Sequence, residues 1–341
     1  MATTETKELD SIISSRRALL AVGGAALAGL AFAPKANAQT AVTDNDILNF
    51  ALNLEYLEAQ FYTLAVYGVT IDKLQKPIPT GVNGGTGGTV TLKPAFTMVP
   101  FLLPLIQAYA TETAIEEGKH VTFLQGALGR NAVSMPNIDL YNSFNTLARL
   151  AGIPSPFDPF ANDANFLIGA YIFEDVGVTA YHGAAPLIQD KKGILPAAIG
   201  IHAVEAYHAG LVRTSINALD AGSGVLTGYT VKISNLRSMT ANPLPAPTTA
   251  VPKPVQVVDD FGIMTVNVGL NTAPTGTPPV TATPYPATTI VDADITASSI
   301  APGRSTTQVL AIVTAGNGAT NTGGFFPNGL NGTIGAAVKT S

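Results

Sequence analysis

Two Glu-x-x-His pairs constrain this chain more than any other feature: Glu117-Gly118-Lys119-His120 and Glu205-Ala206-Tyr207-His208. Both fall in stretches with helical patterning. Residues three apart lie close together on one helix face, so each pair can grip a single ion. With nine glutamates and four histidines in 341 residues, chance spacing gives roughly 0.1 such pair. The other helical stretches add Glu174, in Tyr171-Ile172-Phe173-Glu174-Asp175-Val176, and the neighbours Glu55 and Glu58. Tyr181 follows Glu174 by seven residues and Tyr62 follows Glu55 by seven. Two helical turns return each tyrosine to its glutamate's face, and the shared spacing selects Glu55 as the counterpart of Glu174. The chain thus reads as two helix pairs with one plan: Glu, Tyr at +7, then Glu-x-x-His on the next long helix.

That plan needs a bundle. The first helix is expected from a Thr43–Asp46 capping box to Tyr67, with Gly68 as the stop. A linker with Pro77, Pro79 and Gly81 to Gly88 is expected to cover the bundle end. A second helix is expected from about 97 to 128, with Pro100 and Pro104 near its start. Leu140 to Leu150 reads as a short crossover helix. A third long helix spans roughly 162 to 184, ended by Pro186, and a fourth runs from near Pro196 to about 219. The expected fold class is an all-α core, a four-helix bundle over 39–222. Residues 223–341 differ: eleven of the 24 prolines lie between Pro243 and Pro302. Val231 to Leu236 and Val255 to Val268 read as short strands, Arg304 to Thr314 as a short helix, and Phe325 to Gly329 as an anchored turn. We expect an irregular extension wrapping the bundle, with minor β-structure; an independent small β-domain or a wall-associated stalk are the alternatives. Asp259-Asp260 and Asp292-Ala293-Asp294 place acidic pairs here without the full spacing of a calcium loop.

The first 38 residues are expected to be an export signal rather than fold. An arginine pair, Arg16-Arg17, precedes the mild apolar run Ala18 to Ala33, as in twin-arginine signals. Ala36-Asn37-Ala38 offers a cleavage site. The mature protein is expected to be periplasmic, cell-surface or secreted, with no membrane span, and a homo-oligomer is compatible with this plan. The chain has no cysteine, which excludes thiolate metal sites and disulfides. Its net charge of −5 offers no basic excess for nucleic acid.

Four carboxylates and two imidazoles in one apolar core repel unless they are paired or bound to metal. Two divalent cations would balance the charge. Oxygen-rich ligation with one imidazole per ion suits iron first and manganese second; zinc remains open, whereas calcium does not favour histidine. One Glu from each of two helices plus Glu-x-x-His from the other two resembles the dimetal carboxylate pattern of the ferritin-like superfamily. The run Asn49-Phe50-Ala51-Leu52-Asn53-Leu54-Glu55-Tyr56-Leu57-Glu58-Ala59-Gln60-Phe61-Tyr62 is similar to the secreted branch related to plant desiccation-related proteins. The likeness covers about 43–219, and more moderately 304–332. It implies that Glu117 and Glu205 bridge two metals, that Glu55 and Glu174 are terminal ligands, and that His120 and His208 serve one metal each. Tyr62, Tyr181, Glu58, Glu116 and His202 would stand around the ligands. His202 precedes Glu205 by one turn and is expected to pack there, orienting Glu205 being the alternative; Glu116 is expected to flank the ligands or be solvated, a contact to His120 at i+4 being its alternative. Two functions fit: a dimetal oxidase acting with oxygen or hydrogen peroxide, on Fe(II) or on peroxide alone as in manganese-catalase-like proteins, or a structural, stress-protective surface protein whose metal only rigidifies the bundle.

Overall fold

The computed structural model of the chain describes residues 42–243, 258–268, 285–293, 299–316 and 321–334. The expected export signal and its cleavage site lie outside these residues, as do Val255 to Val257 and Asp294. From Thr43 onward the described chain forms one compact unit.

Helix α1 (Asp44–Tyr67) starts at a reciprocal cap: the Asp46 amide donates to Thr43 Oγ1 at 3.3 Å, and the Thr43 amide to Asp46 Oδ2 at 2.8 Å. It stops at Gly68, whose left-handed φ of 69° suits glycine. A two-residue parallel pairing joins β1 (Val90–Thr91), in the linker after α1, to β2 (Ile138–Asp139). Between them runs α2 (Pro104–Leu128). The crossover carries α3 (Asn142–Ala151), and the second pair of long helices is α4 (Asp163–Ala184) and α5 (Ile194–Asp220).

The four long helices differ in what they bury. α1 and α4 are covered on all sides, so polar Asn53, Glu55, Gln60, Glu174 and Asp175 are interior along with their apolar neighbours. α2 and α5 each bury one face. A helix apolar nearly all round needs cover on both sides. The bundle covers one side of α1 and α4; α3, the linker and the later segments cover the other. Phe61 stacks on Phe166 with centroids 5.6 Å apart, and Phe144, Phe173 and Phe325 close the aromatic layer.

Three elements differ from the sequence expectation. α2 begins at Pro104 rather than near 97, because Pro104 fits a first helical position and Pro100 keeps the preceding segment extended. Val231 to Leu236 is not a strand but the middle of α6 (Val225–Ala241), which packs on α4 and α5. Between 258 and 268, only β3 (Thr265–Val268) is strand; it pairs antiparallel with β4 (Tyr285–Thr288). The last helix, α7 (Thr306–Val313), is opened by a Ser305–Gln308 capping box and packs on α4 and α6. Beyond it, the Asn53 side chain on α1 donates to the Asn331 carbonyl and accepts the Asn331 amide, both at 2.9 Å.

Candidate metal centre

The bundle brings all six expected ligand side chains together. Glu55 comes from α1, Glu117 and His120 from α2, Glu174 from α4, and Glu205 and His208 from α5; all are buried. His120 Nδ1 lies 3.2 Å from Glu55 Oε2, 3.3 Å from Glu117 Oε2 and 3.7 Å from Glu205 Oε1. His208 Nδ1 lies 2.9 Å from Glu117 Oε1 and 3.5 Å from Glu174 Oε2. Two ligand groups result, Glu55–Glu117–His120–Glu205 and Glu117–Glu174–His208. They share Glu117, which turns one carboxylate oxygen toward each imidazole.

Several donor atoms here have no use within the protein. Both oxygens of Glu205, Oε1 of Glu117, Oε2 of Glu174 and Nδ1 of His208 are buried without a hydrogen-bond partner. Glu117 Oε1 and His208 Nδ1 are close but not aligned to satisfy one another. An orphaned buried polar atom costs about 1–3 kcal/mol, and more if charged. Five such atoms on ligands that converge in two groups fit a pair of cations.

Electrostatics point the same way. Burial and neighbouring carboxylates push Glu205 and Glu58 well above the usual carboxylate range. Burial lifts Glu55 to about 7, against the pull of His120. Burial also pushes Glu117 up, but the two imidazoles beside it outweigh burial and hold it below its ordinary value. Burial would lower both histidines. The carboxylates around them prevail, raising His120 to about 10 and His208 to about 12.

The surrounding residues are arranged differently from the sequence expectation. Tyr62 on α1 donates its hydroxyl to Glu174 on α4, and Tyr181 on α4 donates to Glu55 on α1. Each tyrosine serves the opposite helix's glutamate, not the one on its own helix. Glu116 meets His208, with Oε2 2.7 Å from Nε2, rather than His120. It lies in an open groove with Glu112 and Lys119, so the outer side of His208 is tied to a solvated carboxylate. His202 faces His182, ring centroids 5.9 Å apart, and does not orient Glu205, whose oxygens have no hydrogen-bond partner. Glu58 is buried among Glu55, Glu117 and Glu174.

Sequence reasoning missed Gly177. A Cβ built there would stand 2.2 Å from Glu205 Oε2 and 3.5 Å from Glu58 Oε1, so α4 gives the Glu205 carboxylate its space by lacking a side chain. The signal was available: glycine inside a helix costs roughly 1 kcal/mol relative to alanine.

The acidic pairs of the later segment serve arginines. Asp175 accepts Arg213 at 2.9 Å and Arg237 at 2.8 Å; Asp260 accepts Arg237 at 2.8 Å and Arg304 at 3.0 Å. Asp259 accepts Arg304 at 2.9 Å. Asp292 joins them by accepting the Phe261 amide at 2.7 Å. Its other oxygen is unpartnered, and burial raises its pKa to about 8. This buried network ties 259–261, Asp292 and Arg304 to α4, α5 and α6.

With this geometry in place, the comparisons with known proteins are informative. The family model for a ferritin-like domain matches residues 43–218. Desiccation-related protein PCC13-62 of Craterostigma plantagineum is 32% identical over 205 residues, 58% of this chain and 62% of that protein. The chain therefore spans less than two thirds of that relative. Ferritin-like catalase Nec2 of Nesocodon mauritianus is 24% identical over 300 residues, 85% of this chain and 84% of that one. No solved structure matches the chain significantly.

Proposed function

Because the chain belongs to the ferritin-like domain family, we propose that it is an exported dimetal carboxylate protein that holds two iron or manganese ions and oxidises Fe(II) or consumes peroxide. The observation that carries this reading is Glu117. It presents Oε2 to the His120 group and Oε1 to the His208 group, the arrangement two adjacent cations require. When bound, the two ions would supply one-electron chemistry at neighbouring sites. His120 and His208 would each offer Nδ1 to one ion, and Glu116 on Nε2 fixes the ring of His208. Tyr62 and Tyr181 hold Glu174 and Glu55 in place. No helix among the described residues is long and apolar enough to cross a membrane.

The relative named a ferritin-like catalase supports hydrogen peroxide as a substrate. A second reading, a stress-protective protein whose metal only stabilises the bundle, draws on the likeness to a desiccation-related protein. Anaerobic reconstitution with Fe(II), followed by oxygen or peroxide in a stopped-flow spectrometer, separates the two. The redox reading expects oxidation of about two irons per chain, well above the buffer rate, and its loss in His120→Ala. Two tightly bound metals without protein-dependent oxidation would leave the structural reading standing.

A further inference from the structure

Next to the candidate centre lies a chamber of about 40 Å³, lined mostly by carbon. Leu54 and Leu57 of α1, Phe173 and Val176 of α4, and Ile312 and Val313 of α7 form much of it. Its lining also includes Glu58 and Gly177. Gly177 thus borders the chamber and also adjoins the Glu205 carboxylate, whose Oε2 lies 2.2 Å from a Cβ built there.

The walls decide what the chamber can hold. A water needs about 10–15 Å³ and two to four polar partners. The volume would admit water, but the partners are lacking. Of the two charged lining residues, Arg237 is committed to Asp175, Asp260 and the Tyr171 carbonyl. The Thr240 hydroxyl donates to the Leu236 carbonyl, which leaves the Glu58 carboxyl as the one uncommitted polar group of the lining. A cavity of this kind favours a small apolar molecule over water or peroxide, both of which would forfeit hydrogen bonds. The size excludes an organic substrate.

We propose that this chamber is a dioxygen site, holding the gas against Glu58 and Gly177, the residues that adjoin the Glu205 ligand. The assignment of dioxygen rests on the redox reading above, in which the gas is either a substrate of Fe(II) oxidation or a product of peroxide consumption. The chamber serves either direction, because its selectivity is for an apolar diatomic. Peroxide and cations need a polar route, and the groove lined by Glu112, Glu116 and Lys119 beside His208 is polar.

Xenon, an apolar probe held by such cavities, tests the site without reference to turnover. Crystals of the metal-loaded full chain under xenon pressure should show one xenon between Leu57, Phe173 and Ile312. Ala148→Leu, which fills the chamber from α3, should exclude it, and Val313→Leu does the same from α7 should the first variant fold poorly. With Fe(II) and dioxygen, the filled variants should raise KM for dioxygen roughly fivefold at unchanged kcat, the sign of lost binding. With peroxide, they should slow dioxygen release while leaving KM for peroxide unchanged. Either kinetic result supports the site. Ordered water in place of xenon, or filled variants that exclude xenon and change neither reaction, overturns it. Xenon bound as expected in a protein that oxidises nothing refutes the redox reading instead, and the two failures stay distinct.

Discussion

Tyr62 on α1 donates its hydroxyl hydrogen bond to Glu174 on α4, and Tyr181 on α4 donates one back to Glu55 on α1. The two helices are thereby cross-tied through the ligands themselves. Removing either hydroxyl leaves a buried carboxylate short of a donor. Tyr62→Phe and Tyr181→Phe should each cost about 1–3 kcal/mol of stability and roughly tenfold in metal affinity. Competition against a chelator measures the affinity, and an unchanged affinity in both variants would show that the cross-ties do not position the ligands.

Gly177→Ala should separate fold from site. Alanine gains about 1 kcal/mol of helix propensity, and the atom its Cβ meets is the mobile end of Glu205. The metal-free variant should melt no lower than the parent, while its metal affinity falls. Loss of fold in the metal-free form would refute this.

Metal loading should release protons. Near pH 7 His120 and His208 are protonated in the metal-free protein, since the carboxylates around them raise their pKa values to about 10 and 12. Ligation strips both imidazoles, so about two protons leave from them and affinity climbs as pH rises. Calorimetry in buffers of different ionisation enthalpy counts them; a pH-independent affinity would contradict the assignment of the two imidazoles as ligands.

Arg304 is 1% exposed and its guanidinium spans Asp259 and Asp260. Arg304→Ala leaves those carboxylates without one of their cations and should cost about 3–5 kcal/mol, read by urea denaturation. A loss below 1 kcal/mol, within the range of exposed pairs, would mean that the network is not holding the later segment.

Asp292 adds a pH dependence. Its folded pKa of about 8 lies above the ordinary value of about 3.9. The folded protein therefore keeps a proton that the unfolded chain gives up. The associated stability is full below about pH 4, declines as pH rises, and is lost as pH passes about 8. Asp292→Asn cannot ionise, so it should match the parent in acid and exceed it at pH 9. Parallel stability curves across that range would refute this.

The ligands are legible because the Glu-x-x-His pairs and the Glu-to-Tyr interval of seven each occur twice, at spacings set by helix geometry. The same geometry fixes a residue's face but not which neighbour meets it. This is why the sequence places Tyr62 and Tyr181 on the ligand faces without naming their partners, and why Glu116 meets His208 rather than His120. α6 escaped for a different reason. Its buried positions include Thr230, Ser234, Arg237 and Ser238, a helical stripe made of polar groups, which an apolar periodicity cannot show. Arg213, Arg237 and Arg304 carry no local sign of burial, because their aspartates lie on other elements.

The paired bonds between Asn53 and Asn331 have a temporal meaning. Asn53 leaves the ribosome 278 residues before Asn331, whose backbone satisfies it. At about 5–20 residues per second this interval is roughly 14–56 s. During it, the polar patch on the first helix must stay wetted by solvent. The interior can become dry only after nearly the whole described chain has been synthesised, so closure is a late event in the birth of the molecule, and chains cut short before that point should remain open on this face.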